Sequence, residues 1–163
     1  YVKKYPSLNP QFIFAYPAYN MRNTEIGAII GLNQIKNLNK NIKKRNKNHA
    51  IFLKNIDQNK YRINFDLEGS SNYAFNLILK EGDDDLVNKL IKKMNINGIE
   101  YRRGSSGGGN QTRQPYLKKI IPQNYFLNFP ETEHIHFYGF YLGNYPSLKK
   151  EDILKLCNII NAV

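Results

Sequence analysis

Apolar and polar positions alternate along this chain with two clear periods. Ile35, Leu38, Ile42, Arg45, His49, Phe52 and Ile56 follow one another at spacings of three and four, which lays them along one stripe of a helix. Asn23 or Thr24 can cap that helix, with Glu25 in the first turn against the positive end of the dipole. Ile26, Ile29 and Ile30 extend the apolar surface upstream around Gly27 and Gly31, so the pattern predicts one long helix from residue 24 to 56. Two helical glycines cost about 1 kcal/mol each relative to Ala, and close backbone contact with another element is the expected offset. Arg45 interrupts the stripe and reads as a stem lying on apolar surface with its charge in water.

The period then changes to two. Tyr73, Phe75, Leu77 and Leu79 alternate with polar neighbours, which predicts a strand with one buried face. Asp83 to Asp85 start a second helix whose stripe is Leu86, Val87, Leu90, Ile91 and Met94, closed by Gly98. Ile99 to Arg102 should form a strand, 131 to 137 a short helix, and Phe140 to Gly143 a third strand. Ser147, after Pro146, is the expected cap of a last helix that turns Ile153, Leu156, Cys157 and Ile160 inward. Residues 1 to 20, with prolines at 6, 10 and 17, read as an extended lead-in, and 21 to 163 as one small domain. The fold class is α+β, a small antiparallel-type sheet covered by helices on one side.

Composition changes this picture little. At 163 residues the chain is long enough for one hydrophobic core, and no run approaches the ~20 apolar residues of a membrane span. It lacks an initiator Met and a signal-peptide core, so it is expected to begin inside a longer protein. One cysteine, Cys157, excludes an internal disulfide. The net charge of +11 invites nucleic acid as a partner. However, 18 of the 24 cations are Lys, beside 23 Asn and 19 Ile, a bias that an AT-rich coding sequence produces everywhere. Apart from KNLNKNIKKRNK (36–47) the cations are dispersed, and no nucleic-acid motif accompanies them. A duplex binder would reveal itself by steeply salt-dependent affinity.

The stretch with most chemistry is GSSGGGNQTRQPY (104–116), where a glycine-rich run leads into amides, a guanidinium and a proline. No Gly-Lys-Ser/Thr follows, so it is not a nucleotide-triphosphate loop, and it does not open the helix of a βαβ unit. It is either a flexible linker or a ligand-binding loop that uses Asn110, Gln111, Arg113 and Gln114, with Arg102 and Arg103 at its start. His134 and His136 lack an obvious third ligand, so no metal site is expected, and His49 belongs to the helix stripe. By spacing alone, no catalytic set is complete.

Three stretches carry a resemblance. AYNMRNTEIGAIIGLNQIKNLNKNIKKRNKN (18–48) resembles the helix that opens the C-terminal part of DegT/StrS-type, pyridoxal-phosphate-dependent nucleotide-sugar aminotransferases. GIEYRRGSSGGGNQTRQPYL (98–117) is similar to that family's Arg-x-x-x-Ala-Gly-Asn-x-x-Arg-Gln loop, and FYLGNYPSLKKEDILKLCNII (140–160) resembles its closing strand and helix. Ala18 stands for the usual Gly, Asn23 follows Arg22 where Met or Pro is common, and the glycine run is longer.

The resemblance implies the C-terminal domain of a fold-type I enzyme, cytoplasmic and homodimeric, that uses pyridoxal 5'-phosphate or pyridoxamine phosphate on a nucleotide-linked sugar. The large domain, with the cofactor-binding Lys, or the His that replaces it in related ketosugar 3-dehydratases, is then expected upstream of Tyr1. Catalytic residues are accordingly not assigned within this chain. Asn20 is implied as a contact to the phosphate of the partner subunit's cofactor, assisted by Arg22. Arg103, Asn110, Gln111, Arg113 and Gln114 are implied as sugar contacts on a loop that orders over the cofactor cleft when substrate arrives. The competing reading is a stand-alone interaction module that dimerises through the long helix, which should expose no large apolar patch. A membrane is not among the implied partners.

Overall fold

The computed structural model describes residues 3–4, 23–117 and 119–163; Asn20, Arg22 and most of the proposed lead-in lie outside them. The chain separates into two compact units, one ending at Asn37 and the other running from Leu38 to Val163.

In the first unit, helix α1 spans Glu25–Ile35. Thr24 is its cap, its Oγ1 accepting the Gly27 N–H at 3.2 Å. Ile26, Ile29, Ile30, Leu32 and Ile35 are all more than half exposed. Among the described residues no other element offsets the two glycines. A Cβ on Gly27 would meet only the neighbouring Asn23 and Thr24 side chains, and one on Gly31 would meet nothing within 4 Å.

The single long helix predicted for 24–56 is two helices, because the chain turns at Lys36 and Asn37. The Asn37 N–H donates to Gln34 O at 3.0 Å, a three-residue step in place of the helical four. Asparagine, a weak helix former, suits that interruption. Helix α2, Leu38–Asn55, opens the second unit.

Strand β1 (Ala74–Ile78), helix α3 (Asp84–Ile96), strand β2 (Tyr101–Arg103), helix α4 (Pro130–Tyr138), strand β3 (Gly139–Gly143) and helix α5 (Lys150–Asn161) follow. The sheet is antiparallel with β3 between β1 and β2. Register places Phe75 opposite Leu142 and Leu77 opposite Phe140 on one face, as the alternation predicts, but Tyr73 lies before the strand and is exposed, and Ala74 and Ile78 on the other face are buried too. That face is covered by Phe52 and Ile56 from the α2 region, Val87, Leu90 and Met94 of α3, and Ile153, Cys157 and Ile160 of α5. Asp83 caps α3, accepting the Leu86 N–H at 2.8 Å, and Gly98 ends it at φ +64°, where a side chain would be strained.

At α5 the expected cap is displaced by two residues. Leu148 N donates to Tyr145 O at 3.1 Å, so Ser147 is spent in a turn, and Lys149 takes the cap position with its N–H on Asp152 Oδ2 at 3.1 Å. Among the described residues no helix is long and apolar enough to cross a membrane.

Buried titrating groups set the pH range of this core. Burial pushes the Cys157 thiol from 9.0 up to about 11 and raises the Tyr61 phenol. The stability tied to a raised pKa is fully present below the unfolded value and is lost as pH rises through the folded one. Burial lowers the His49 imidazole below 6.5, so its contribution is present above that pH and lost on acidification. Among the described residues neither ring nitrogen of His49 has a hydrogen-bond partner, and the ring lies against Phe75 at 6.1 Å. Urea midpoints measured against pH should therefore be highest between about pH 7 and 9 and fall on both sides; Cys157 alone supplies at most about 3 kcal/mol of the alkaline loss. A midpoint flat from pH 9 to 11 contradicts this.

Candidate functional site

Helix α4 and the glycine loop form one structure. Pro130 at the start of α4 tolerates its missing N–H, and Glu131 and Glu133 sit in the first turn, favoured by the dipole. The loop leaves β2 at Gly104, whose N–H donates to Gly139 O at 2.7 Å. A Cβ on Gly104 would lie 1.7 Å from Ile135 O, and one on Gly109 would lie 2.0 Å from His136 Nδ1. These glycines give the backbone room to run against α4, a role that composition alone presents as flexibility.

Past the glycines the loop closes on itself and on Glu133. Asn110 is 2% exposed. Its N–H donates to His136 Nδ1 at 3.1 Å, its Nδ2 to Glu133 Oε1 at 2.7 Å, and its Oδ1 accepts from Thr112 N and Oγ1 at 3.1 and 2.6 Å. Arg113 grips the same carboxylate, Nε donating to Oε1 at 2.7 Å and Oε2 at 2.8 Å and Nη2 also donating to Oε2. Its guanidinium lies 3.9 Å from the Phe126 ring centre and 5.2 Å from that of Phe137. The hydrogen bond from Arg113, supported by Asn110, holds the Glu133 carboxyl below the usual carboxylate range, and the same bond raises Arg113. Gln111 Nε2 donates to Gly107 O at 3.0 Å while its Oε1 accepts from Tyr116; Gln114 Nε2 donates to Gly108 O at 2.8 Å.

The structure thus brings Asn110, Gln111, Arg113 and Gln114 together. Arg103 stands apart at the end of β2, its guanidinium 4.8 Å from the Phe140 ring centre and its Nη2 donating to Phe137 O. Its Nε is buried and without a partner among the described residues. Thr112 and Arg113 line a recess of about 450 Å³ with residues 121–124 and Phe126.

His134 Nε2 lies 2.6 Å from Leu79 O, and no three metal-ligating side chains converge among the described residues. Sequence reading missed Glu133 and His136 as partners of the loop. Their separations of 20 and 26 residues from it leave no periodic trace. The acidic first turn of α4 was the one available signal.

A sequence profile of the DegT/DnrJ/EryC1/StrS aminotransferase family matches residues 3–161. A GDP-4-keto-6-deoxy-D-mannose 3-dehydratase of Yersinia pseudotuberculosis is 32% identical over 150 residues, 91% of this chain and 38% of that protein. A solved structure of the Escherichia coli GDP-4-keto-6-deoxy-D-mannose-3-dehydratase with hydrated PLP matches with TM-score 0.76 and 27% identity, over 92% of this chain and 38% of that one. PseC of Helicobacter pylori, an aminotransferase involved in pseudoaminic acid biosynthesis, shares the fold at 18% identity and TM-score 0.61, over 87% and 38% of the two chains. The chain thus spans under two fifths of the length of the relatives it matches.

Proposed function

Since the chain belongs to the DegT/DnrJ/EryC1/StrS aminotransferase family, we propose that it supplies the small C-terminal domain, residues 21–163 after a lead-in of 1–20, of a pyridoxal-phosphate-dependent enzyme acting on a nucleotide-linked keto-deoxysugar. The observation that carries this is the collinear match from residue 3 to 161, shared with relatives that are GDP-keto-deoxymannose 3-dehydratases. Those relatives favour C3 dehydration over amino transfer and a GDP-linked substrate. The setting is cytoplasmic synthesis of sugars for surface polysaccharide such as lipopolysaccharide, by a homodimer.

The exposed aliphatic side chains of α1 support a covered position within a larger assembly and weigh against a stand-alone module. Pyridoxal phosphate, when bound, supplies an electron sink beside the sugar carbon. Asn20 and Arg22 are the residues assigned to its phosphate, and an amide with a guanidinium is a donor set suited to that anion. The end of α1 adds little to them: Thr24 already takes the Gly27 N–H and Glu25 places a carboxylate in the first turn. Asn110, Gln111, Arg113 and Gln114 belong to the loop that faces the sugar, and Arg103 stands at the end of β2 where that loop begins.

In the complete enzyme, Asn20→Ala should weaken cofactor binding about tenfold to a hundredfold, the loss of one or two charge-assisted hydrogen bonds. Equilibrium dialysis of the cofactor reads this directly, and an unchanged affinity removes Asn20 from the phosphate site.

A further inference from the structure

We propose that Glu133 is the positioning residue of the glycine loop and that Arg113 and Asn110 serve the substrate chiefly through the conformation they impose on the loop; this rests on the reading of the loop as a sugar-facing element. Glu133 has a side chain 16% exposed, and both of its carboxylate oxygens are occupied by loop donors. The loop approaches it from the far side of a run that includes Gly107, Gly108 and Gly109, all at positive φ, which is backbone with little intrinsic preference for one shape. Bonds from Gln111 to Gly107 O and from Gln114 to Gly108 O fold the run locally, and the carboxylate on α4 ties it to the domain at two anchor points three residues apart, Asn110 and Arg113.

The same geometry takes the bidentate edge of Arg113 out of direct substrate recognition. The Nε–Nη2 edge of Arg113 is committed to the Glu133 carboxylate and the guanidinium lies against Phe126 and Phe137, so a sugar hydroxyl or phosphate oxygen could reach it only at the Nη1 end, without the paired donors of a bidentate grip. Asn110 is turned inward as well: Oδ1 accepts two bonds, one Nδ2 hydrogen goes to Glu133, and the residue is buried. What the clamp contributes to substrate binding is an ordering cost met before the substrate arrives. Its loss should appear in KM and leave kcat nearly unchanged.

The test is a double-mutant cycle in the complete enzyme with GDP-4-keto-6-deoxymannose as probe. Glu133→Ala, Arg113→Ala and the double variant should each raise KM by about the same factor, roughly tenfold, with kcat within about twofold of the parent. Glu133→Gln, which keeps the shape and an acceptor oxygen, should recover part of the loss and also covers the case of an alanine variant that fails to fold. Hydrogen exchange of the amides of 105–117, measured without substrate, should accelerate in Glu133→Ala and less in Glu133→Gln.

An additive double variant, or a larger defect in Arg113→Ala than in Glu133→Ala, overturns the proposal and returns Arg113 to direct contact. Unchanged exchange in Glu133→Ala also overturns it. If the parent enzyme does not turn over the probe, the functional reading fails while the exchange measurement still decides the clamp.

Discussion

Gly104→Ala should lower stability by about 3 kcal/mol or more, a fall of roughly 6–12 °C in Tm for a chain of this size. The new Cβ would lie 1.7 Å from Ile135 O and 2.7 Å from the same carbonyl's carbon. Neither atom can move away as a flexible side chain could, because Ile135 O already accepts the Gly139 N–H at the end of α4. Relief requires β2 and α4 to separate, and that breaks the 2.7 Å bond from Gly104 N to Gly139 O. Glycine at 104 is therefore a packing requirement, independent of loop flexibility. Gly31→Ala is the natural contrast, since its Cβ meets nothing within 4 Å among the described residues and alanine favours a helix interior by up to about 1 kcal/mol. Thermal melts of the two variants should move in opposite directions. Equal Tm values for parent and Gly104→Ala would contradict the close crossing.

The second large effect belongs to Asn144, at the end of β3 and only 1% exposed. Its Nδ2 donates to Arg45 O at 2.9 Å and Asn72 O at 2.7 Å, and its Oδ1 accepts from Asn48 at 3.1 Å. One amide thus joins α2, the turn before β1 and the central strand. Asn72 holds φ +46°, and the bond to its carbonyl helps fix that backbone. Alanine at 144 removes three hydrogen bonds from a buried site, although Asn48 Nδ2 keeps its bond to Tyr145 O at 3.1 Å, at a cost of about 3 kcal/mol. Aspartate should be at least as harmful at neutral pH, because it discards both donors and buries a charge. Urea denaturation reads both variants. A loss under about 1 kcal/mol for Asn144→Ala would mean that the network contributes little beyond solvation.

Local order explains which parts of this fold the sequence discloses. The alternation at Phe75, Leu77 and Leu79 and the stripe at Val87, Leu90 and Met94 are repeated choices of burial, and each repeat reports the same face. The break at Lys36–Asn37 rests on one hydrogen bond, and an apolar rhythm continuing across it hides the turn. Ser147 has the chemistry of a cap, yet the turn closed by Tyr145 and Leu148 claims it first.

For the site, residue type identified the loop and its polar groups. It could not show that Glu133 and His136, far along the chain, hold those groups inward. Glycine was equally ambiguous: positions 104 and 109 are needed for close approach to α4, while Gly31 has open space. That difference exists only in three dimensions.

Native mass spectrometry of the protein isolated from its source cells tests the central claim most directly, since one spectrum reports polypeptide length, assembly and bound cofactor. The account predicts a dimer of polypeptides each more than twice the 19.0 kDa of this chain, carrying pyridoxal or pyridoxamine phosphate. A 19.0 kDa species without cofactor would contradict it and leave the domain in a non-catalytic role.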